Sequence, residues 1–323
     1  MNDRYRYGDQ RPGNPTVAYQ ELPQLRDLQK TLPLRVLSEA DFRHWQTRGY
    51  VLVKQAVSAE QVARTVHDLW QFQELDPGRP ETWDATERRS HAMPELNGSG
   101  MVEAYHLPSL WDNRQTPRVY DAFVDLWDRE DLWVTIDRAN LNTPNRGKRA
   151  FPGFIHWDAE TTLDPLPVNV QGVLALSDTS EEVGGFQCVP DLFEHFETWR
   201  RTAPADRHPW QPDMATLPWS THFVPMQAGD LLIFNSLLAH GIQPNVSQDG
   251  VRIAQYIAFT PADEGRDDLR DARVHSWRER EAPVGHAFPG DPRGWEQTRY
   301  PTAVLSALGE KILGLRRWQD RSA

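Results

Sequence analysis

The spacing of apolar positions shifts from helical to alternating partway along this chain, and that shift organises the reading. Residues 1–35 are rich in Pro and Gln with little periodicity, which predicts an arm lying on the surface. From Leu37 the pattern sharpens. Ser38 ahead of Glu39 and Asp41 has the form of a helix N-cap with acids in the first turn, and Phe42 and Trp45 recur at helical spacing until Gly49. Tyr50–Val53 predicts a short strand. Ser58 then caps a second helix through Val62, Val66, Leu69 and Trp70. Residues 73–100, rich in Pro, Asp, Gly and Asn, predict a long loop, and Val119, Phe123 and Leu126 mark a helix over 117–129.

Beyond residue 131 the pattern becomes that of strands. Leu132–Ile136, Phe154–Asp158, Val168–Leu176, Gly185–Val189, Thr221–Val224, Asp230–Phe234 and Val251–Phe259 are short runs separated by Gly, Pro and Asp turns. Such spacing predicts a mainly β protein with flanking helices, built on an antiparallel sandwich or barrel of the jelly-roll kind. Residues 191–203, with Leu192, Phe196 and Trp199, read as a helix inserted between strands. The segment 262–298 is charged and rich in Pro and Gly, with few signs of a core, and an amphipathic helix follows over about 302–314. The expected organisation is an arm (1–35), one catalytic-sized domain (36–261, its strand-rich core about 132–261) and a C-terminal extension (262–323).

Composition narrows the possibilities. With 39% apolar and 25% charged residues the chain can build a packed core, and 13 Trp, 12 Phe and 8 Tyr supply rigid groups for it. A net charge of −11 argues against a nucleic-acid partner. No apolar run is long enough for a membrane span, and the N-terminus carries no apolar signal core, so the expectation is a cytoplasmic protein. The single cysteine, Cys188, excludes an internal disulfide framework and any multi-thiolate metal site. Metal chemistry here must use His and carboxylates.

His156-Trp157-Asp158 is the first candidate. In a strand, residues i and i+2 share a side, so an imidazole and a carboxylate converge. Two His and one carboxylate are the donor set of non-haem Fe(II) oxygenases, which leaves positions for cosubstrate and O2. The His-x-acid pattern is cheap, since 11 His and 46 acids in 323 residues yield one or two by chance. The chain has two, but His195-Phe196-Glu197 lies in a helical pattern where i and i+2 diverge. A second histidine, His240, follows the strand Gly229–Asn235. A lone His at a strand end is more often structural, but Arg252 changes the balance. It intrudes into an apolar strand with Ala254 and Tyr256 on its own face, and a buried arginine needs an anion such as a dicarboxylate.

The order His156-x-Asp158, His240, Arg252 resembles that of the phytanoyl-CoA dioxygenase family of Fe(II)/2-oxoglutarate-dependent oxygenases. Leu37–Phe42 with Gly49–Val53 resembles the family's N-terminal helix and strand. Gly184–Pro190 resembles its Gly-rich segment between the ligand strands, and Gly229–Phe234 its strand before the second histidine. The family's segment usually ends Pro-Gly-Ser-His. Here it reads Pro190-Asp-Leu-Phe-Glu-His195, a departure that argues against a role for His195. The likeness spans roughly residues 36–261.

The resemblance implies a double-stranded β-helix in which His156, Asp158 and His240 hold iron and Arg252 pairs with the distal carboxylate of 2-oxoglutarate. Asn140, Asn142 and Gln171 are the candidates for further contacts to this cosubstrate. It implies O2-dependent oxidation of a small-molecule substrate, with decarboxylation of 2-oxoglutarate to succinate and CO2. The carboxylate at Asp158, where related halogenases carry a small residue, favours hydroxylation, desaturation or demethylation. The loop 73–116, with Trp83, His91, Asn97, Tyr105, His106 and Trp111, is the expected lid, and Tyr105, His106 and Trp157 are the expected substrate contacts. The alternatives are a jelly-roll metalloprotein with a non-oxidative reaction, a non-catalytic binding module and a scaffold. The sequence leaves oligomeric state open.

Overall fold

The computed structural model describes residues 22–83, 100–144, 153–284 and 288–319. Most of the expected arm, together with His91 and Asn97 of the expected lid, lies outside the described residues.

The helix caps form where the sequence places them. Helix α1 (Glu39–Arg48) opens on a reciprocal capping box between Ser38 and Asp41, and closes on Gly49 in the left-handed region at φ 81°. Helix α2 (Ala59–Phe72) opens on the same device between Ser58 and Gln61. Between them, β1 (Tyr50–Val53) enters the large sheet. The expected loop 73–116 is only partly a loop. It contains β2 (Met101–Val102) and α3 (Pro108–Arg114), and α3 begins on a proline that needs no N–H partner. Helix α4 (Pro117–Trp127) follows.

Nine further strands complete the described sheets: β3 (Leu132–Val134), β4 (Ala139–Asn142), β5 (Val170–Ala175), β6 (Gly185–Cys188), β7 (His222–Phe223), β8 (Leu231–Asn235), β9 (His240–Gln243), β10 (Arg252–Tyr256) and β11 (Phe259–Pro261). The large sheet has the order β1-β8-β5-β10-β4-β2, and a small sheet the order β7-β6-β9, every pairing antiparallel. Phe186 of the small sheet meets Phe234 of the large one at 4.9 Å between ring centroids, so the two sheets enclose one interior. This is the jelly-roll arrangement. The predicted helix over 191–203 forms as two short ones, α5 (Pro190–Glu194) and α6 (Phe196–Thr202).

Alternation assigns the two faces of the large sheet different work. Leu141, Ile253, Leu174, Leu231 and Ile233 point to the helices and join Trp45, Leu69, Trp111 and Phe123 in the main core. Val173, Ala175, Leu232, Phe234 and Ala254 point inward, towards Phe186, Cys188 and Trp157. Strand pairing therefore decides which polar residues of β4, β5 and β10 face the interior. Arg252 lies opposite Asn142, and Ala254 opposite Asn140.

The C-terminal segment, sparse in apolar residues by sequence, is nonetheless built into the main core. Helix α7 (Asp267–Glu279), α8 (Trp295–Arg299) and α9 (Ala307–Leu313) bring in Ile312 and Leu313, with Phe288 and Ala303 from the links. Much of the docking is polar, which apolar periodicity does not register. Arg273 donates to the carbonyls of Val134, Ile312 and Leu313, and the buried Glu296 accepts from the backbone N–H groups of Tyr105 (2.8 Å) and His106 (2.5 Å). At the other end, Asp125 of α4 accepts from the N–H groups of Arg35, Val36 and Leu37, tying residues 35–37 down.

Burial pushes the Glu296 carboxyl up to about 7, against the pull of the two N–H groups. Between its ordinary value and about 7 the folded protein holds this proton more tightly than the unfolded chain does. Stability therefore falls as pH rises through that window, with a contribution of up to about 1.4 kcal/mol per pH unit. Urea unfolding from about pH 5 to about pH 8 should show this slope in the wild type and a shallower one in Glu296→Gln. Equal slopes would exclude Glu296 as its source.

Candidate active site

His156 reaches the interior on a segment with almost no ladder of its own. The predicted strand 154–158 reduces to one bridge, in which His156 N–H donates to the His240 carbonyl (2.8 Å) and His240 N–H to the His156 carbonyl (2.9 Å). A full strand fails to form because the chain bends at Asp158 and turns into a loop. Gly241 is what permits the approach. A Cβ there would lie 1.8 Å from the Phe154 carbonyl oxygen. The neighbouring strand is fitted the same way, since a Cβ on Gly184, at φ 82°, would lie 2.4 Å from the Gln243 carbonyl oxygen.

The bridge brings three side chains together. The ligand atoms offered by His156, Asp158 and His240 all lie within 4.8 Å of one another. Asp158 Oδ1 is 3.2 Å from His156 Nε2, and Oδ2 is 3.2 Å from His240 Nε2. Burial pushes the Asp158 carboxyl upward, but the His240 and His156 imidazoles outweigh it and hold the group well below the usual carboxylate range. His240 Nδ1 donates to the Leu238 carbonyl (2.9 Å), which orients the ring so that Nε2 faces the carboxylate. The His240 ring is wedged between Phe234 and Phe186, at 4.4 and 5.6 Å between centroids. Such a set fits a divalent metal. Buried Asp158 Oδ1 has no neighbouring donor besides the His156 imidazole, and two imidazoles with one carboxylate match the donor set of non-haem Fe(II).

On the inner face of β10, Arg252 is 3% exposed. Its Nη1 donates to Asn140 Oδ1 at 3.2 Å, while its buried Nη2 has no hydrogen-bond partner. A charged donor left in this state awaits an anion. The other predicted residues separate. Asn140 orients Arg252. Asn142 lies across from it in register, with its carbonyl accepting from Asn245 Nδ2. Gln171, expected to contact the cosubstrate, instead donates its amide N–H to Asp158 Oδ2.

The three expected substrate contacts are not brought to the triad. Trp157 is fully buried, with its Nε1 donating to the Leu237 carbonyl and its ring between Phe196 and Trp199, because alternation turns it away from its two neighbours. His106 is bonded to Ser276 Oγ, the Glu281 carbonyl and Trp111 Nε1, and burial lowers it to about 3, so it is a neutral part of the C-terminal docking. The Tyr105 hydroxyl donates to Glu103, whose other oxygen pairs with Arg138 at 2.7 Å. Two aromatic residues on the interior side were not singled out as contacts by the sequence reading. Phe154 stacks on His156 at 4.8 Å between centroids while 46% exposed, and Tyr256 follows Arg252 by four residues on the inner face. Period-two alternation from His156 and Arg252 was the available signal for both.

The profile of the phytanoyl-CoA dioxygenase family matches residues 45–254, about two thirds of the chain, and the chain belongs to that family. It is a non-haem Fe(II)- and 2-oxoglutarate-dependent oxygenase. Among curated proteins it is similar to Ava biosynthesis cluster protein O of Aspergillus versicolor, 23% identical over 234 residues that cover 66% of this chain and 74% of that protein. Among solved structures it is similar to the hypothetical protein JW0805 of Escherichia coli, at 15% identity and a TM-score of 0.60 over 86% of this chain and 81% of that one, which shows the shared fold. It also matches the epimerase SnoN, solved with Fe3+, alpha-ketoglutarate and nogalamycin RO, at 19% identity and a TM-score of 0.49 over 69% of this chain and 83% of that one. Among the described residues no helix is long and apolar enough to cross a membrane.

Replacing Gly241 by Ala forces the Phe154 and His240 backbones apart. The expected cost is about 2 kcal/mol, the scale of overpacking in a core, together with weakened Fe(II) binding. Thermal unfolding and an anaerobic Fe(II) titration measure the two effects. A variant with wild-type melting temperature and affinity would show that the close approach is dispensable.

Proposed function

We propose that His156, Asp158 and His240 hold Fe(II), that Arg252 binds the distal carboxylate of 2-oxoglutarate, and that the reaction is hydroxylation of a small-molecule substrate. The observation that carries the assignment is the buried Arg252 Nη2 without a partner, on the same face of the large sheet as Gln171, which bonds Asp158. A non-oxidative metalloenzyme has no need of a buried dicarboxylate clamp.

The chemistry supplied when iron and cosubstrate are bound is oxidation of a substrate C–H bond, coupled to decarboxylation of 2-oxoglutarate to succinate and CO2. One oxygen atom of O2 goes to the substrate hydroxyl and the other to succinate. The chain's own part is binding, orientation and exclusion of water. Asn140 fixes the Arg252 fork so that its second nitrogen is presented to a carboxylate, which sets the depth at which the dicarboxylate lies. Phe186 and Phe234 close the apolar side of the His240 ring and keep water from that flank of the reacting centre. Asp158, held ionised, supplies the negative charge that a divalent cation needs in a buried setting.

For the substrate, the exposed Phe154 ring beside His156 supports a partly apolar body lying against the mouth of the site. The Aspergillus relative is by name a biosynthesis-cluster protein, which supports a small biosynthetic molecule over an acyl-CoA. Cytoplasmic residence belongs to the same reading.

An anaerobic titration with Fe(II) and 2-oxoglutarate, followed by visible absorption, tests the assignment. The wild type should develop a weak charge-transfer band, and Asp158→Ala should lose it. Arg252→Ala should need roughly ten to a hundred times more 2-oxoglutarate, the equivalent of a charged hydrogen bond worth about 1.5–3 kcal/mol. Iron binding without any band in the wild type would remove the cosubstrate site. An unchanged 2-oxoglutarate requirement in Arg252→Ala would remove Arg252 from it.

A further inference from the structure

We infer that Gln171 is a positioning residue that holds Asp158 as a one-oxygen ligand and so keeps a coordination position open; the inference rests on the metal and cosubstrate reading above. The carboxylate lies between two imidazoles, one oxygen towards each, at the same 3.2 Å on both sides. By themselves these contacts give the two oxygens equal standing. The Gln171 amide breaks the tie, because its N–H bonds Oδ2 while buried Oδ1 has no amide of its own and only the His156 imidazole beside it.

The backbone leaves this torsion free. Asp158 sits at a bend after the single bridge, and the neighbouring anchors act through Trp157, whose N–H donates to the Trp210 carbonyl and whose ring nitrogen donates to Leu237. Gln171 is itself rigidly placed. It is 5% exposed on β5, inside the large sheet, in register with Phe234 of β8. Residue type matters as much as place. An arginine or lysine at this position would neutralise the carboxylate and compete with a metal, whereas a neutral amide leaves its charge intact.

The consequence lies in counting donors. Two histidines and a carboxylate oxygen leave room at a six-coordinate ion for a two-donor cosubstrate and O2. A carboxylate chelating through both oxygens takes one of those positions. Capping Oδ2 with an N–H group draws it away from the cation and disfavours that mode.

The test uses Gln171→Met and Gln171→Leu, which keep the bulk and remove the donor. Fe(II) alone should still bind at least as tightly as in the wild type, because chelation adds a donor. The 2-oxoglutarate requirement should rise roughly ten- to a hundredfold, as expected for loss of an outer partner of a metal ligand, and the charge-transfer band should shift or weaken. A purely structural role predicts the opposite split, with weaker Fe(II) binding and an unaltered band, and that outcome overturns the inference. So does a variant with wild-type affinity and band. Should neither variant fold, a crystal structure of the wild type with Fe(II) decides the matter, since Asp158 bound through both oxygens overturns the inference and binding through one supports it. A wild type that binds Fe(II) and shows no band overturns the cosubstrate reading and this inference with it.

Discussion

Two backbone hydrogen bonds between His156 and His240 set the geometry on which the rest of the site depends. They join a segment with no sheet of its own to the edge of the small sheet, and they fix two imidazoles at 4.6 Å between ring centroids. Everything nearby serves this contact. Gly241 removes the side chain that would block it, the β6–β9 pairing holds β9 in register, and Gly184 lets that pairing close on itself. The geometry of the candidate metal ligands is thereby made a property of the backbone. Such a site keeps its shape even when the charges within it are uncompensated.

The large sheet bears the cost of that arrangement. Its outer face is an ordinary apolar layer beneath the helices, and its inner face carries Asn140, Gln171 and Arg252 among Val173, Ala175 and Ala254. A buried guanidinium nitrogen and a buried carboxylate oxygen without partners are each destabilising by about 1–3 kcal/mol in a folded chain. A domain with this much aromatic core can tolerate them, and the penalty is reversed when a ligand supplies the missing contacts. Binding energy and folding energy meet at the same atoms.

The parts of this design that the sequence made legible share one property. His156, Asp158, His240 and Arg252 are polar residues interrupting apolar, strand-like surroundings, and alternation alone predicts where they point. Helix starts at Ser38 and Ser58 were legible because a capping box is a local device. What escaped was set by tertiary contact. His106 and Tyr105 have the composition of a binding loop, but Glu296, nearly 200 positions away in sequence, holds their backbone and turns them into docking surface. Gln171 lies on the interior face that its strand parity predicts, and its bond to Asp158 is one that parity does not reveal. Strand parity gives a side chain's face, and only the bend after the His156 bridge brings the Asp158 carboxylate within its reach.

The C-terminal segment extends the same logic to the rim of the site. Glu103 follows β2 at the edge of the large sheet and pairs with Arg138, just before β4, whose inner face carries Asn140 and, through it, Arg252. The Gly290 N–H donates to Glu103, Phe288 packs edge-on against Tyr105 and beneath the Arg138 guanidinium, and Glu296 clamps the backbone of Tyr105 and His106. The polar tail is therefore the brace of the strand edge that carries Asn140 and, through it, Arg252. A buried ion pair of this kind contributes little net stability, because desolvation offsets the attraction. What it contributes is direction. Arg138 is committed to Glu103, while Arg252, on the paired strand β10, is bonded through Nη1 to Asn140 and keeps a buried Nη2 without a partner.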